Sequence, residues 1–118
     1  MRINKTLLIA TTALLLTACA EKSSNIYYWG DYQPSLYSYY QKSAAPEKEI
    51  ETLNAVIQQA HAKNKPVAPG LRAQLGLLYV DTGHPDLAFE QFNAEKTAFP
   101  ESAHYMDFLM RNKQGANQ

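Results

Sequence analysis

Proline most constrains the fold of this 118-residue chain, because its ring disrupts a helix interior yet is accepted in a first helical turn. Five of the six prolines divide the chain after residue 45; they are Pro46, Pro66, Pro69, Pro85 and Pro100. An acidic residue follows three of them, at Glu47, Asp86 and Glu101, where the positive end of a helix dipole favours it. The prolines therefore predict separate helices that begin near residues 46, 69, 85 and 100.

Apolar residues recur with helical spacing in each of these intervals. The four predicted faces are Ile50, Leu53, Val56, Ile57 and Ala60; Leu71, Leu75, Leu78 and Tyr79; Leu87, Ala88, Phe92 and Phe99; and Tyr105, Met106, Leu109 and Met110. The first helix is expected to end near Lys63 and the second at Asp81, before Gly83. Pro34 and Leu36 suit a further short helix, and alternation of period two is not sustained. The prediction is an all-α domain of four to five helices over residues 26–113.

Small and large residues alternate where the second and third of these helices would cross. Their spacing matches the L-G-x2-Y…A-x3-F…P pattern of tetratricopeptide helical hairpins, although Arg72 replaces its first aromatic residue. The matching residues are Leu75, Gly76, Tyr79, Ala88, Phe92 and Pro100. The alternative is a generic helical hairpin that has small and large residues at these positions by chance. A single hairpin cannot bury its own apolar face, so the flanking helices are expected to cap it.

The N-terminus has the pattern of a secretory signal peptide. Arg2 and Lys5 precede about ten mostly apolar residues, half the length that a membrane-spanning helix needs. Leu16-Thr17-Ala18-Cys19 then resembles a bacterial lipobox, in which cleavage precedes a cysteine that carries diacylglycerol and an N-acyl chain. We therefore expect a lipoprotein signal peptide at residues 1–18, lipidation at Cys19, a tether at 19–25 and a flexible tail at 114–118. Because Ala20 and not Asp follows the cysteine, sorting in Gram-negative bacteria favours the outer membrane.

The charge and the cysteine content exclude or disfavour several classes of function. The formal charge is zero, which gives no reason to expect nucleic acid as a partner. Removal of Arg2 and Lys5 with the signal peptide leaves nine basic and eleven acidic residues, a formal charge of −2. Cys19 is the single cysteine, so a disulfide, a zinc cluster and a CxxC redox pair within one chain are excluded.

Tyrosine is concentrated in residues 26–40, which also contain the single tryptophan. One interpretation is an exposed aromatic surface for a partner or a glycan, since Tyr and Trp are enriched in binding hot spots. Its candidate residues are Tyr28, Trp29, Tyr32 and Tyr37. The alternative is that Trp29, Leu36 and Tyr40 pack against the hairpin and enlarge a small core.

Other polar residues form no recognisable catalytic or metal-binding pattern. His61, His84 and His104 lack a second ligand at helical spacing. Glu47, Glu49 and Glu51 are expected in a solvated first turn, and Glu95, Lys96 and Glu101 in surface ion pairs. We therefore predict a protein that is not an enzyme and has no cofactor beyond the lipid on Cys19.

The chain resembles a bacterial lipoprotein family, the domain of unknown function 4810. The resemblance rests on Tyr28-Trp29-Gly30-Asp31-Tyr32, Pro69-Gly70-Leu71, Leu75-Gly76-Leu77-Leu78-Tyr79 and the segment from Glu95 to Ser102. It implies a small outer-membrane lipoprotein, often encoded beside a lipoprotein similar to the curli secretion channel.

We therefore expect a lipid-anchored subunit of an envelope assembly that faces the periplasm and binds other lipoproteins. The alternative is a peptidoglycan- or glycan-binding module that uses the aromatic segment.

Overall fold

Residues 25–115 are described by a computed structural model. They contain five α-helices: α1 (Tyr32–Gln41), α2 (Pro46–Ala62), α3 (Leu71–Asp81), α4 (Pro85–Ala98) and α5 (Ala103–Gly115). A 3-10 turn, Pro100–Ser102, joins α4 to α5. The predicted all-α class is confirmed. The signal peptide, Cys19 and residues 20–24 of the tether lie outside the described residues, as do residues 116–118.

Proline and left-handed residues set the helix ends as the sequence predicts. Pro46 and Pro85 occupy the first turns of α2 and α4. Gly70 and Gly83 have φ angles of 87° and 80°, a region that L side chains rarely adopt, and they lie just before and after α3. The last boundary differs from the prediction, because Pro100 begins the 3-10 turn and α5 starts only at Ala103.

The first part of the core joins α1, α2 and α3. Its buried side chains are Tyr32, Leu53, Val56, Ala68, Leu71, Leu75 and Leu78. Ile50 and Ile57 pack against this cluster, so the predicted apolar face of α2 is confirmed. Burial of the leucine and valine side chains in this cluster contributes roughly 1.5–3 kcal/mol each.

The second part of the core joins α3, α4 and α5. Ala88, Phe92, Met106 and Leu109 form its buried centre. Tyr79 packs against both clusters, which makes α3 the central helix of the domain. Lys96 on α4 also donates to Asp107 on α5 at 2.6 Å.

Gly76 and Phe92 mark the close crossing of α3 and α4. Both residues are buried, and a Cβ added at Gly76 would lie 2.7 Å from Phe92 Cδ1. The small residue at 76 is therefore required by the phenyl ring beside it. Of the other predicted hairpin residues, Leu75 and Ala88 are buried, Tyr79 is half-buried and Pro100 is exposed.

Some expected core residues are at the surface instead. Leu87 and Tyr105 are exposed, although they were expected on apolar faces, because the packed faces of α4 and α5 centre on Phe92 and Met106. Tyr40 is also exposed, so the expectation that it packs against the hairpin is wrong.

Candidate functional site

The segment of residues 26–31 lies over the connection between α2 and α3. The backbone N–H of Tyr28 donates to Pro66 O at 2.9 Å, and Tyr28 pairs with Val67 in an isolated parallel bridge. The Tyr28 hydroxyl donates to Gln59 Oε1 at 2.5 Å, and Lys63 Nζ lies 5.2 Å from the centre of its ring. The end of the domain nearest to Cys19 in sequence is therefore fixed to α2.

A chain of aromatic rings continues from this segment to the end of α4. Trp29 stacks on Tyr32 with ring centres 6.0 Å apart. The Trp29 ring also makes an edge-to-face pair with the ring of Tyr27. Tyr27 in turn lies 5.8 Å from the ring of Phe99. These contacts join elements that are about seventy residues apart in sequence, and aromatic pairs of this kind are each worth about 0.5–1.5 kcal/mol beyond their burial.

The four residues predicted to contact a partner differ in accessibility. Tyr37 is 67 % exposed, whereas Tyr28 and Trp29 are half-buried. Tyr32 is only 7 % exposed, because it packs between Trp29 and the start of α3. The prediction that Tyr32 is part of an exposed partner-binding surface is therefore wrong, because its ring belongs to the core.

A basic cleft of about 370 Å³ opens where α2 ends, α3 begins and α4 ends. Its lining is cationic and aromatic, comprising Tyr27, His61, Lys65, Pro66, Val67, Arg72, Glu95, Ala98 and Phe99. Arg72 is held by a hydrogen bond of 3.1 Å from Nη1 to Gln91 Oε1. Lys65 follows Asn64, whose left-handed backbone (φ 51°) turns the chain after α2.

Among the described residues that line the basic cleft, Glu95 is the only one with a carboxylate. It is 3 % exposed, and its Oε1 accepts the Gly70 N–H at 2.7 Å. Burial raises the pKa of the Glu95 carboxyl, while the hydrogen bond from the Gly70 N–H, the other N–H groups at the start of α3 and the positive charge of Arg72 oppose the rise. Its negative charge is thus directed at the N-terminus of α3.

The expectation that Glu95 takes part in a surface ion pair is therefore wrong. A signal for its burial exists in the sequence, since Glu95 lies three residues after Phe92 and seven after Ala88, on the apolar face of α4. Lys96, the neighbouring residue, forms the expected kind of ion pair with Asp107.

An acidic cleft of about 550 Å³ opens at the other end of the α2–α3 pair. It is lined by Tyr39, Tyr40, Lys42, Ala44, Pro46, Glu49 and Asp81. Arg72 and Asp81 are nine residues apart on α3, so the basic and acidic clefts are separated by about 14 Å of helix axis. The excess charge therefore differs between the two ends: Lys65 and Arg72 face one carboxylate, Glu95, in the basic cleft, and one cation, Lys42, accompanies two carboxylates in the acidic cleft.

Two carboxylates in the acidic cleft differ in their surroundings. Asp81 is exposed and accepts a hydrogen bond of 3.4 Å from the Tyr39 hydroxyl. Glu49 is 3 % exposed, its Oε1 has no hydrogen-bond partner within residues 25–115, and burial raises the pKa of its carboxyl. The expectation that Glu49 lies in a solvated turn is wrong, since it faces the core side of α2 one turn before Leu53.

Two kinds of site are not found among residues 25–115. No three His, Cys, Asp or Glu side chains in this region are grouped so as to hold a metal ion. None of the helices described here is both long enough and apolar enough to cross a bilayer.

The family model for Domain of unknown function (DUF4810) matches residues 26–109. The match includes the aromatic segment, both clefts and the crossing of α3 and α4. No curated protein and no solved structure matches the chain. Because the family model covers most of its length, the chain belongs to the DUF4810 family.

Proposed function

We propose that this protein is a lipid-anchored adaptor of the outer membrane that faces the periplasm and has no enzymatic activity. Diacylglycerol and an N-acyl chain on Cys19 hold it at the membrane, and a tetratricopeptide-like hairpin (α3 and α4) provides the scaffold. The adaptor joins other envelope lipoproteins in one assembly. A lipoprotein similar to the curli secretion channel is the partner that the family resemblance favours.

The basic cleft is the observation that carries this proposal. Its cationic residues Lys65 and Arg72 share one opening with His61 and with the rings of Tyr27 and Phe99. The lining has two cationic side chains, Lys65 and Arg72, against the single carboxylate of Glu95, which is buried against the N-terminus of α3 and offsets only part of their charge. An acidic segment of a partner protein fits this lining, with carboxylates on Arg72 and Lys65 and apolar contact with the rings.

The position of the cleft suits a membrane-bound assembly. Tyr27 lies eight residues after Cys19, a distance of at most about 29 Å even when the chain is fully extended. The cleft would thus remain close to the lipid and to other proteins anchored in the same leaflet. The effective concentration of such neighbours is high, so a modest intrinsic affinity is sufficient.

Crosslinking in intact cells tests the adaptor proposal. The full chain should be recovered with other outer-membrane lipoproteins after mild crosslinking, and the double variant Lys65→Ala/Arg72→Ala should reduce their yield at least fivefold. Arg111→Ala, which removes an exposed cation from α5, is the matched control and should leave the yield unchanged. Recovery as a free monomer only, or equal yields from all variants, would contradict the proposal.

The lipid anchor is tested separately. Cys19→Ala should abolish lipid labelling and release the protein from the membrane fraction. Lipid labelling that persists in this variant would refute the assignment of Cys19.

Glycan binding is the second candidate, and the exposed rings of Tyr37 and Tyr40 on α1 favour it. Pulldown on isolated cell-wall sacculi distinguishes the two functions. An adaptor should not sediment with sacculi, whereas a glycan-binding module should sediment and lose this property in Tyr37→Ala.

A further inference from the structure

We propose that the acidic cleft binds a basic side chain, a guanidinium or ammonium group, of a second protein partner. This site lies at the opposite end of α2 and α3 from the basic cleft and is independent of it. The adaptor would then make two contacts of opposite charge.

The carboxylates of the acidic cleft form no ion pair with any of the described residues. Among the described residues, ion pairs join Lys48 to Glu51 and Lys96 to Asp107. Neither Glu49 nor Asp81 therefore has a cationic side chain within 4.0 Å. The burial of Glu49 makes this more costly, because no hydrogen-bond donor of the described residues reaches its Oε1.

The helix ends add to the negative potential. Helices α1 and α3 both end at this cleft, at Gln41 and Asp81, so the negative ends of two helix dipoles meet there. The N-terminus of α2 and the ammonium group of Lys42 act in the opposite direction. Two carboxylates and two helix C-termini outweigh this one side chain and one N-terminus.

The aromatic lining selects the kind of cation. Tyr40 is 75 % exposed, and its ring packs edge-to-face against Tyr39 at 5.6 Å. A guanidinium group can stack on such a ring while it donates to a carboxylate, which combines cation–π attraction with charged hydrogen bonds. At about 550 Å³ the cleft is within the size range of sites that accept small ligands.

Titration followed by NMR tests the proposal. The probe is a capped Gly-Gly-Arg-Gly-Gly peptide, added to the full chain purified in detergent, and the matched probe has citrulline in place of arginine. The arginine peptide should shift the amide signals of residues 39–49 and Asp81, and the citrulline peptide should bind at least fivefold more weakly. Equal binding of both peptides, or shifts confined to other residues, would overturn the proposal.

Variants locate the site. Asp81→Asn and Tyr40→Ala should each weaken binding of the arginine peptide at least fivefold, and Lys42→Ala should strengthen it. Asp86→Asn, an exposed acid outside the cleft, is the matched control and should have no effect. Unchanged affinity in Asp81→Asn, with folding verified by circular dichroism, would overturn the proposal.

Other occupants are distinguished by two further measurements. Sedimentation of the full chain that shows self-association lost in Asp81→Asn would identify a second copy as the occupant and overturn the proposal of a different partner. Binding to sacculi that depends on Asp81, without binding of the arginine peptide, would also overturn it. Arg72→Ala should retain peptide binding, so failure of the adaptor proposal at the basic cleft is separable from failure here.

Discussion

The carboxylate of Glu95 on α4 accepts a hydrogen bond of 2.7 Å from the backbone N–H of Gly70, at the start of α3. The two residues are 25 positions apart, and the bond ties the N-terminus of one hairpin helix to the C-terminal half of the other. Since the first N–H groups of a helix have no partner within it, a buried carboxylate is an effective substitute for a local cap.

Glu95→Ala should therefore destabilise the domain by about 1–3 kcal/mol, because it removes the charged acceptor of the half-buried Gly70 N–H. Glu95→Gln keeps a carbonyl acceptor and should lose less. Urea denaturation measures both, with exposed Glu101→Ala as a control that should stay within about 0.5 kcal/mol. Equal losses of stability in Glu95→Ala and Glu95→Gln would show that the hydrogen bond to Gly70 is not the cause of the destabilisation.

Local sequence signals predicted the helices but not these tertiary polar contacts. Pro46, Pro85 and Gly83 act through their own backbone, so their effect on a helix end is visible in the sequence. Glu95 and Glu49 are buried because of the helices that pack over them, and charge alone predicted exposure for both. The clefts are likewise products of packing, since the residues that line the basic cleft range from Tyr27 to Phe99.

Gly76→Ala should destabilise the crossing of α3 and α4. The added Cβ would lie 2.7 Å from Phe92 Cδ1, and such overpacking costs about 1–3 kcal/mol. The higher helix propensity of alanine offsets about 1 kcal/mol of this loss in the free energy of unfolding.

A double-mutant cycle identifies the cause. Phe92→Leu alone should be destabilising, because it removes a buried ring, but Gly76→Ala should cost less in the Phe92→Leu background than in the native one. Additive losses would indicate that Phe92 is not the obstacle. Thermal unfolding of the four proteins gives the comparison.

Gly70→Ala should cost more than Gly83→Ala. Both glycines have positive φ, 87° and 80°, so alanine is strained by about 1–2 kcal/mol at either site. At Gly70 the Cβ would also lie 2.8 Å from the Tyr32 hydroxyl, whereas at Gly83 it would meet open space. Tyr32→Phe in the Gly70→Ala background should recover part of the stability difference between Gly70→Ala and Gly83→Ala, measured by urea denaturation. Failure to recover it would argue against a clash between the added Cβ and the Tyr32 hydroxyl.

Glu49→Gln should stabilise the protein at neutral pH and have little effect in acid. Because burial raises the pKa of the Glu49 carboxyl above 4.5, the folded state holds this proton more tightly than the unfolded state does. The contribution of Glu49 to stability is therefore fully present below pH 4.5 and is lost as the pH rises through the folded-state pKa. Glutamine remains neutral and avoids that loss, which is about 1.4 kcal/mol for each pKa unit between the two states.

Unfolding free energies of the native protein and Glu49→Gln from pH 4 to pH 8 measure the difference. Glu51→Gln, which removes an exposed ion pair with Lys48, is the matched control and should change stability by less than about 1 kcal/mol. A loss of stability in Glu49→Gln at pH 7, or a gain that persists unchanged at pH 4, would contradict the burial of an uncompensated charge at this position.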